Sequence, residues 1–168
     1  IKALYLYAGI LSSEKADPET VKQVYLKILE KDPTQARACM MLGTVLIKQK
    51  QYDKAENRLK SAIALKPDDI PISKALVGFY ISKKKFSEAA LVLENLAQAR
   101  SDDSEPLIML ADFYLRRKNH LGAEENFKKA IEVEPDNITT YMRLARFYNS
   151  ANDVRKAESY IRKALEIN

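Results

Sequence analysis

The chain has 168 residues, 46% hydrophobic and 30% charged, with 28 Lys and Arg against 23 Asp and Glu for a formal net charge of +5. That balance excludes wholesale disorder. One cysteine, Cys39, and one histidine, His120, exclude an internal disulfide, a cysteine-cluster zinc site and every site that needs two histidines.

The predicted elements follow a repeat. Five windows of 34 residues run over 2–35, 36–69, 70–103, 104–137 and a shorter 138–168, with no insertion between them. They predict one all-α domain over residues 1–168. The first window diverges most. Val21 and Ile28 stand where later windows hold alanine, and Asp17-Pro18 replaces the usual turn. From the second window onward the columns are regular. Ala55, Ala89, Ala123 and Ala157 share one, and Leu42, Leu76, Leu110 and Leu144 another. Tyr80, Tyr114 and Tyr148 share a third, with Leu46 one repeat earlier, and Ala62, Ala130 and Ala164 a fourth, with Leu96 in the gap. Pro33, Pro67 and Pro135 mark the ends of second helices, because proline lacks the amide and clashes with the preceding turn.

Each window reads as two helices. In the third, apolar residues at spacings of three and four predict a first helix over 70–83. Lys84-Lys85 break it, and a second helix spans 87–99 with Ala89, Ala90, Leu93 and Leu96 inward. Asp53 and Ser87 are expected to cap second helices, and Asp69, Asp103 and Asn137 to cap first helices. In the last window the second helix is expected over 155–168. Its Ile161, Ala164 and Leu165 have no successor to cover them, so both ends invite self-association. Alanine at the crossing columns lets helices approach closely, and a bulky residue there would force them apart. A single pair cannot bury its own apolar face, so stacking is obligatory.

No apolar run reaches the roughly 18 residues of a membrane span. The chain opens at Ile1 with neither Met nor a basic leader and reads as an excised piece.

The columns resemble the tetratricopeptide repeat: Trp-x2-Leu-Gly-x2-Tyr, then Ala-x3-Phe, then Pro, over about 34 residues. The Trp slot holds Tyr5, Cys39, Ser73, Leu107 and Tyr141. The Leu-Gly slot holds Leu42-Gly43, Leu76-Val77, Leu110-Ala111 and Leu144-Ala145, and the Phe slot Tyr25, Leu59, Leu93, Phe127 and Ile161. The resemblance covers essentially the whole chain. It implies a right-handed α-α superhelix of about five repeats, and its undecorated repeats point to a prokaryotic source. Pentatricopeptide repeats are longer by one residue and would drift out of register.

The same resemblance implies where a partner would lie, in a concave groove lined by first helices. In the second window the lining residues are Arg37, Met40, Thr44, Ile47 and Lys48; in the third Pro71, Lys74, Gly78, Ile81 and Ser82. In the fourth they are Glu105, Ile108, Asp112, Leu115 and Arg116, and in the fifth Thr139, Met142, Arg146, Asn149 and Ser150. Met40, Ile81, Ile108 and Met142 are expected to face one apolar channel with Lys74 and Arg146 beside it, suited to a peptide with apolar anchors. The carboxylate clamp of chaperone-tail-binding members is absent, since only Lys74 fits and its partner slot is Gly78.

Charge by column gives a second candidate. The turns at 48–51, 82–85 and 116–119 carry eight cations and no acid: Lys48, Lys50, Lys83, Lys84, Lys85, Arg116, Arg117 and Lys118. Cations complement helix C-termini, which accounts for them without a ligand. The alternative is a docking edge for an acidic partner or membrane headgroups. Nucleic acid is disfavoured, because no aromatic residue alternates with these cations.

Nothing points to catalysis, a metal or a cofactor. Cys39 and His120 sit two repeats apart and read as packing residues, and no glycine-rich phosphate loop exists. The expected function is a non-enzymatic scaffold that binds a protein or peptide. The alternatives are a self-associating assembly protein and a helper module of an enzyme whose active site lies elsewhere.

Overall fold

The computed structural model describes residues 1–14 and 16–167. They form α1 Lys2–Ser13, α2 Pro18–Lys31, α3 Ala36–Lys48, α4 Tyr52–Leu65, α5 Ile70–Ser82, α6 Phe86–Ala99, α7 Glu105–Arg116, α8 His120–Val133, α9 Ile138–Ser150 and α10 Val154–Ile167, with no strand among them. Each window is a helix pair, and the fold is an all-α array of such repeats. The chain divides into two compact units, Ile1–Val92 and Leu93–Asn168. In the first, α1 packs on α2, α2 on α3, α3 on α4 and α4 on α5, and α3 also meets α5. In the second, α7 packs on α8, α8 on α9 and α9 on α10.

Small residues set the spacing inside each unit. Ala55, Ala62, Ala89, Ala123 and Ala130 are fully buried, and Leu59 and Phe127 are buried beside them in sequence. At the α3–α4 crossing, a Cβ added to Gly43 would lie 2.9 Å from Leu59 Cγ and 3.4 Å from the Ala55 carbonyl oxygen. Only glycine fits there without moving a core leucine. The first repeat keeps the same spacing with its sizes exchanged. Where later leucines stand it has Ala8, and where later alanines stand it has Val21, both buried.

The turn inside a repeat recurs at Lys50, Lys84, Lys118 and Asn152, with φ of 59°, 57°, 58° and 60°. After each, an amide reaches back five residues: Gln51 to Leu46 O, Lys85 to Tyr80 O, Asn119 to Tyr114 O and Asp153 to Tyr148 O, all at 2.9 Å. This is a left-handed cap of the kind usually built with glycine. It ends α5 at Ser82, one residue before the expected Lys83. It also moves the caps of second helices to the column of Gln51, Lys85, Asn119 and Asp153. Asn119 accepts from Gly122 N at 3.0 Å and Asp153 from Lys156 N at 3.1 Å. Asp53 and Ser87 lie inside their helices instead, because each helix starts earlier than the alternation suggests. Asp69 does cap α5, accepting from Ile72 N at 2.9 Å. Asp103 does not hold the cap position of α7, which belongs to Ser104. Asn137 holds that of α9 but turns its amide to Ser104 Oγ and Glu134, at 2.9 Å each. The end of the expected last helix, Asn168, lies outside the described residues.

Candidate functional site

In the first unit the groove candidates come from α3 and α5. Asp69 caps α5, whereas Gln35 holds the cap position of α3 without a side-chain cap bond, and the 3.6-residue period puts Arg37 and Met40 on the side turned to α5. A cavity of about 360 Å³ lies there, lined by Arg37, Met40, Met41, Lys66, Asp69, Pro71 and Ile72. Arg37, Met40 and Pro71 line this cavity together. Met41, Lys66, Asp69 and Ile72 complete the cavity and were not legible as lining, because they sit in turn or core columns. The guanidinium of Arg37 stands 5.8 Å from the ring centroid of Tyr5, within cation–π range. Burial raises the Tyr5 phenol above its ordinary value, so the ring is neutral at physiological pH. Thr44 Oγ1 donates to Met40 O at 3.1 Å, so its hydroxyl serves its own helix. Ile47 is half-buried, and Lys74 and Ile81 are exposed, with Ile81 39% accessible.

The second unit treats the same columns differently. Ile108 does not face outward. It is 8% exposed in a core with Ala111, Phe127, Ala130, Leu144, Phe147, Tyr148 and Ala157. The bulk that α9 supplies there, Phe147 and Tyr148, closes over it. Leu115 is half-buried against the same cluster. Met142 is 45% exposed and Arg146 is also exposed. Asp112 forms an ion pair with Arg143, so its carboxylate is already matched. Arg143 was missed. Its only signal is that a cation replaces Met41, Ala75 and Met109 in that column.

The basic candidates separate into two groups. Lys83 Nζ sits 2.8 Å from the ring centroid of Tyr52. Lys85 Nζ bonds Glu56 Oε2 at 3.0 Å, and hydrogen bonds from Lys60 and then Lys85 hold the Glu56 carboxyl below its usual range. These two lysines are occupied within the chain. Lys48, Lys50, Lys84, Arg116, Arg117 and Lys118 are exposed, and Arg117 too has an interaction within the chain. Lys50, Lys84 and Lys118 are also the left-handed turn residues.

Cys39 is buried, and burial pushes its thiol up, away from the reactive thiolate. The His120 ring stacks on Phe147 at 5.9 Å between centroids. Among the described residues no cluster of His, Cys, Asp or Glu could hold a metal ion, and no helix is long and apolar enough to cross a membrane.

Stacked helix pairs with small residues at the crossings and a common turn define a class of interaction repeats. The tetratricopeptide-repeat family model matches residues 13–78 and 115–168, more than half of the chain, and the chain belongs to that family. Many solved structures share its fold, MamA and YrrB among them. A crystal structure of MamA is 20% identical, with a TM-score of 0.66, over 95% of this chain and 93% of that one. A MamA structure from Desulfovibrio magneticus RS-1 is 17% identical, with a TM-score of 0.65, over 99% and 93%. YrrB, described as a tetratricopeptide-repeat protein with an unusual peptide-binding site, is 19% identical, with a TM-score of 0.60, over 98% and 84%. At these identities the likeness is one of fold.

Proposed function

We propose that the chain is a non-enzymatic scaffold that holds a protein or peptide segment against its first helices. The observation that carries this is the α3–α5 cavity. It combines Met40, Met41 and Pro71, over buried Ile72, with the cations Arg37 and Lys66 and with Asp69, whose carboxylate is engaged in capping α5. Methionine suits such a surface, because its unbranched thioether re-packs around different partners. The peptide-binding site named for YrrB supports the same class of ligand. In the second unit the residues on offer are Met142 and Arg146, with Leu115 half-buried. The test uses peptides selected from a random display library against the full chain, titrated into variants. Met40→Asp should weaken binding by about tenfold or more, and Lys84→Glu should leave it unchanged. The opposite pattern would move the site to the basic turns.

A second reading, self-association, has its own observation. Ile161 is 41% exposed, although Leu59, Leu93 and Phe127 in its column are buried. Leu165 is 70% exposed on the same helix, and α1 exposes Leu6 and Ile10. Light scattering across concentration decides it: a mass that rises with concentration, and falls again in Leu165→Glu, would favour assembly.

A further inference from the structure

A different surface, where one second helix follows another, carries a site of its own. In the first unit a cavity of about 440 Å³ is bounded by α2, α3 and α4. Its apolar wall is Leu26, Leu42 and Leu46, and its charged wall is Lys22, Lys54 and Arg58. No carboxylate lines it. Lys22 is matched, since its Nζ bonds Glu19 Oε2 at 2.6 Å. Among the described residues no ion pair engages Lys54 or Arg58, and both are exposed.

The second unit supplies the control. A cavity of about 460 Å³ occupies the same columns there, so the shape belongs to the repeat. Its chemistry is opposite. Leu26 is replaced by Glu94, Lys54 by Gly122, Asn57 by Glu125 and Arg58 by Asn126. The charges are also satisfied internally: Tyr114 donates to Glu94 at 3.2 Å, and Lys129 pairs with Glu125 at 2.7 Å. In the first unit the tyrosine column holds Leu46, and the column of Glu56 and Glu124 holds Lys22.

We infer that the α2–α3–α4 cavity is an acidic-peptide site, distinct from the first-helix face. It takes a leucine-sized side chain over half-buried Leu26, above the buried Leu42 and Leu46, with a flanking carboxylate between Lys54 and Arg58. The amides of Gln51 and Asn57 line the same cavity and suit the bound peptide's backbone. A free phosphate would satisfy the cations but leave half-buried Leu26 uncovered and most of the 440 Å³ unfilled, so an apolar acidic segment fits better. A volume in this range accommodates a few residues.

The test is a titration of the isotope-labelled full chain, followed by amide NMR shifts. The probe is a capped pentapeptide, Glu-Leu-Asp-Leu-Glu, compared with Gln-Leu-Asn-Leu-Gln, Glu-Ala-Asp-Ala-Glu and inorganic pyrophosphate. The acidic leucine peptide should give saturable shifts confined to α2, α4 and the 49–51 turn, at about 1 mM or tighter, weakening with salt. Arg58→Glu and Lys54→Glu, both on the surface, should each weaken it by about tenfold or more. The neutral and alanine peptides should bind far less. Shifts centred on Arg37 and Met40, equal binding by pyrophosphate, or full binding by Arg58→Glu would each overturn the proposal.

Discussion

Residues 42–61 and 110–129 are one structure built twice, and the comparison separates what the repeat dictates from what single columns decide. Both stretches hold a helix pair, a left-handed lysine and a cavity in the same columns. At each crossing a small residue meets a large one. The first has Gly43 against Leu59, and the second has Ala111 and Phe127, both buried. The first has Leu46 and Lys54, and the second has Tyr114 with Gly122, whose missing Cβ would lie 3.1 Å from the tyrosine ring. Backbone geometry therefore survives large changes in side-chain size, provided that a small residue meets a large one. Charge is under no such constraint, so the two cavities are free to differ in sign.

The largest expected effect separates core from groove. Ile108→Asp buries a carboxylate in the second unit and should cost about 4 kcal/mol. Met40→Asp, in the half-buried counterpart column of the first unit, should cost about 1 kcal/mol or less. Urea melts of the two variants check this, and equal costs would erase the difference drawn between the two columns. Gly43→Ala comes next. It should destabilise by about 1–3 kcal/mol, because Leu59 must move. The same methyl is already present at Ala111.

Smaller and of opposite sign is the turn. Lys50→Gly and Lys118→Gly should each stabilise by about 0.5–1 kcal/mol, since glycine adopts positive φ without the Cβ clash. Thermal melts should show the two gains equal, because the backbone is the same in both places. Unequal gains would mean that one lysine is held by something else.

The smallest effect is alkaline. Burial raises the phenols of Tyr80 and Tyr114, and Tyr148 most of all, with help from its hydrogen bond to Glu124. A raised phenol favours the folded state while protonated, so this stability is complete below the unfolded value, about 10. It is lost as pH rises from there through the folded values. Ultraviolet phenolate titration should show these rings ionising late, together with unfolding. Leu46→Tyr should add one more late phenol to the first unit.

The repeat was legible because a helix pair that stacks on its own copy needs small residues and prolines at fixed intervals, and Ala55, Ala89, Ala123 and Ala157 obey that. Helix ends were less legible. Lys50, Lys84 and Lys118 adopt a backbone that glycine or asparagine would have signalled, so only Asn152 carried a turn signal. The shift of the caps to Asn119 and Asp153 followed from that. Ile108 shows a further limit: a column gives the direction of a side chain, not its depth, and Phe147 from another helix decides the depth. Arg143 and the α2–α3–α4 cavity depend on which residues three helices bring together, which periodicity along one helix cannot show.

The proposed scaffold holds its partners on the first-helix face. That placement is tested most directly by hydrogen exchange on the full chain, with and without a display-selected peptide at saturation. New protection should appear in α3 and α5 around Met40, Met41 and Ile72, with α10 unchanged. Protection confined to α1 and α10, or to the turns at 48–50, 83–85 and 116–118, would contradict it.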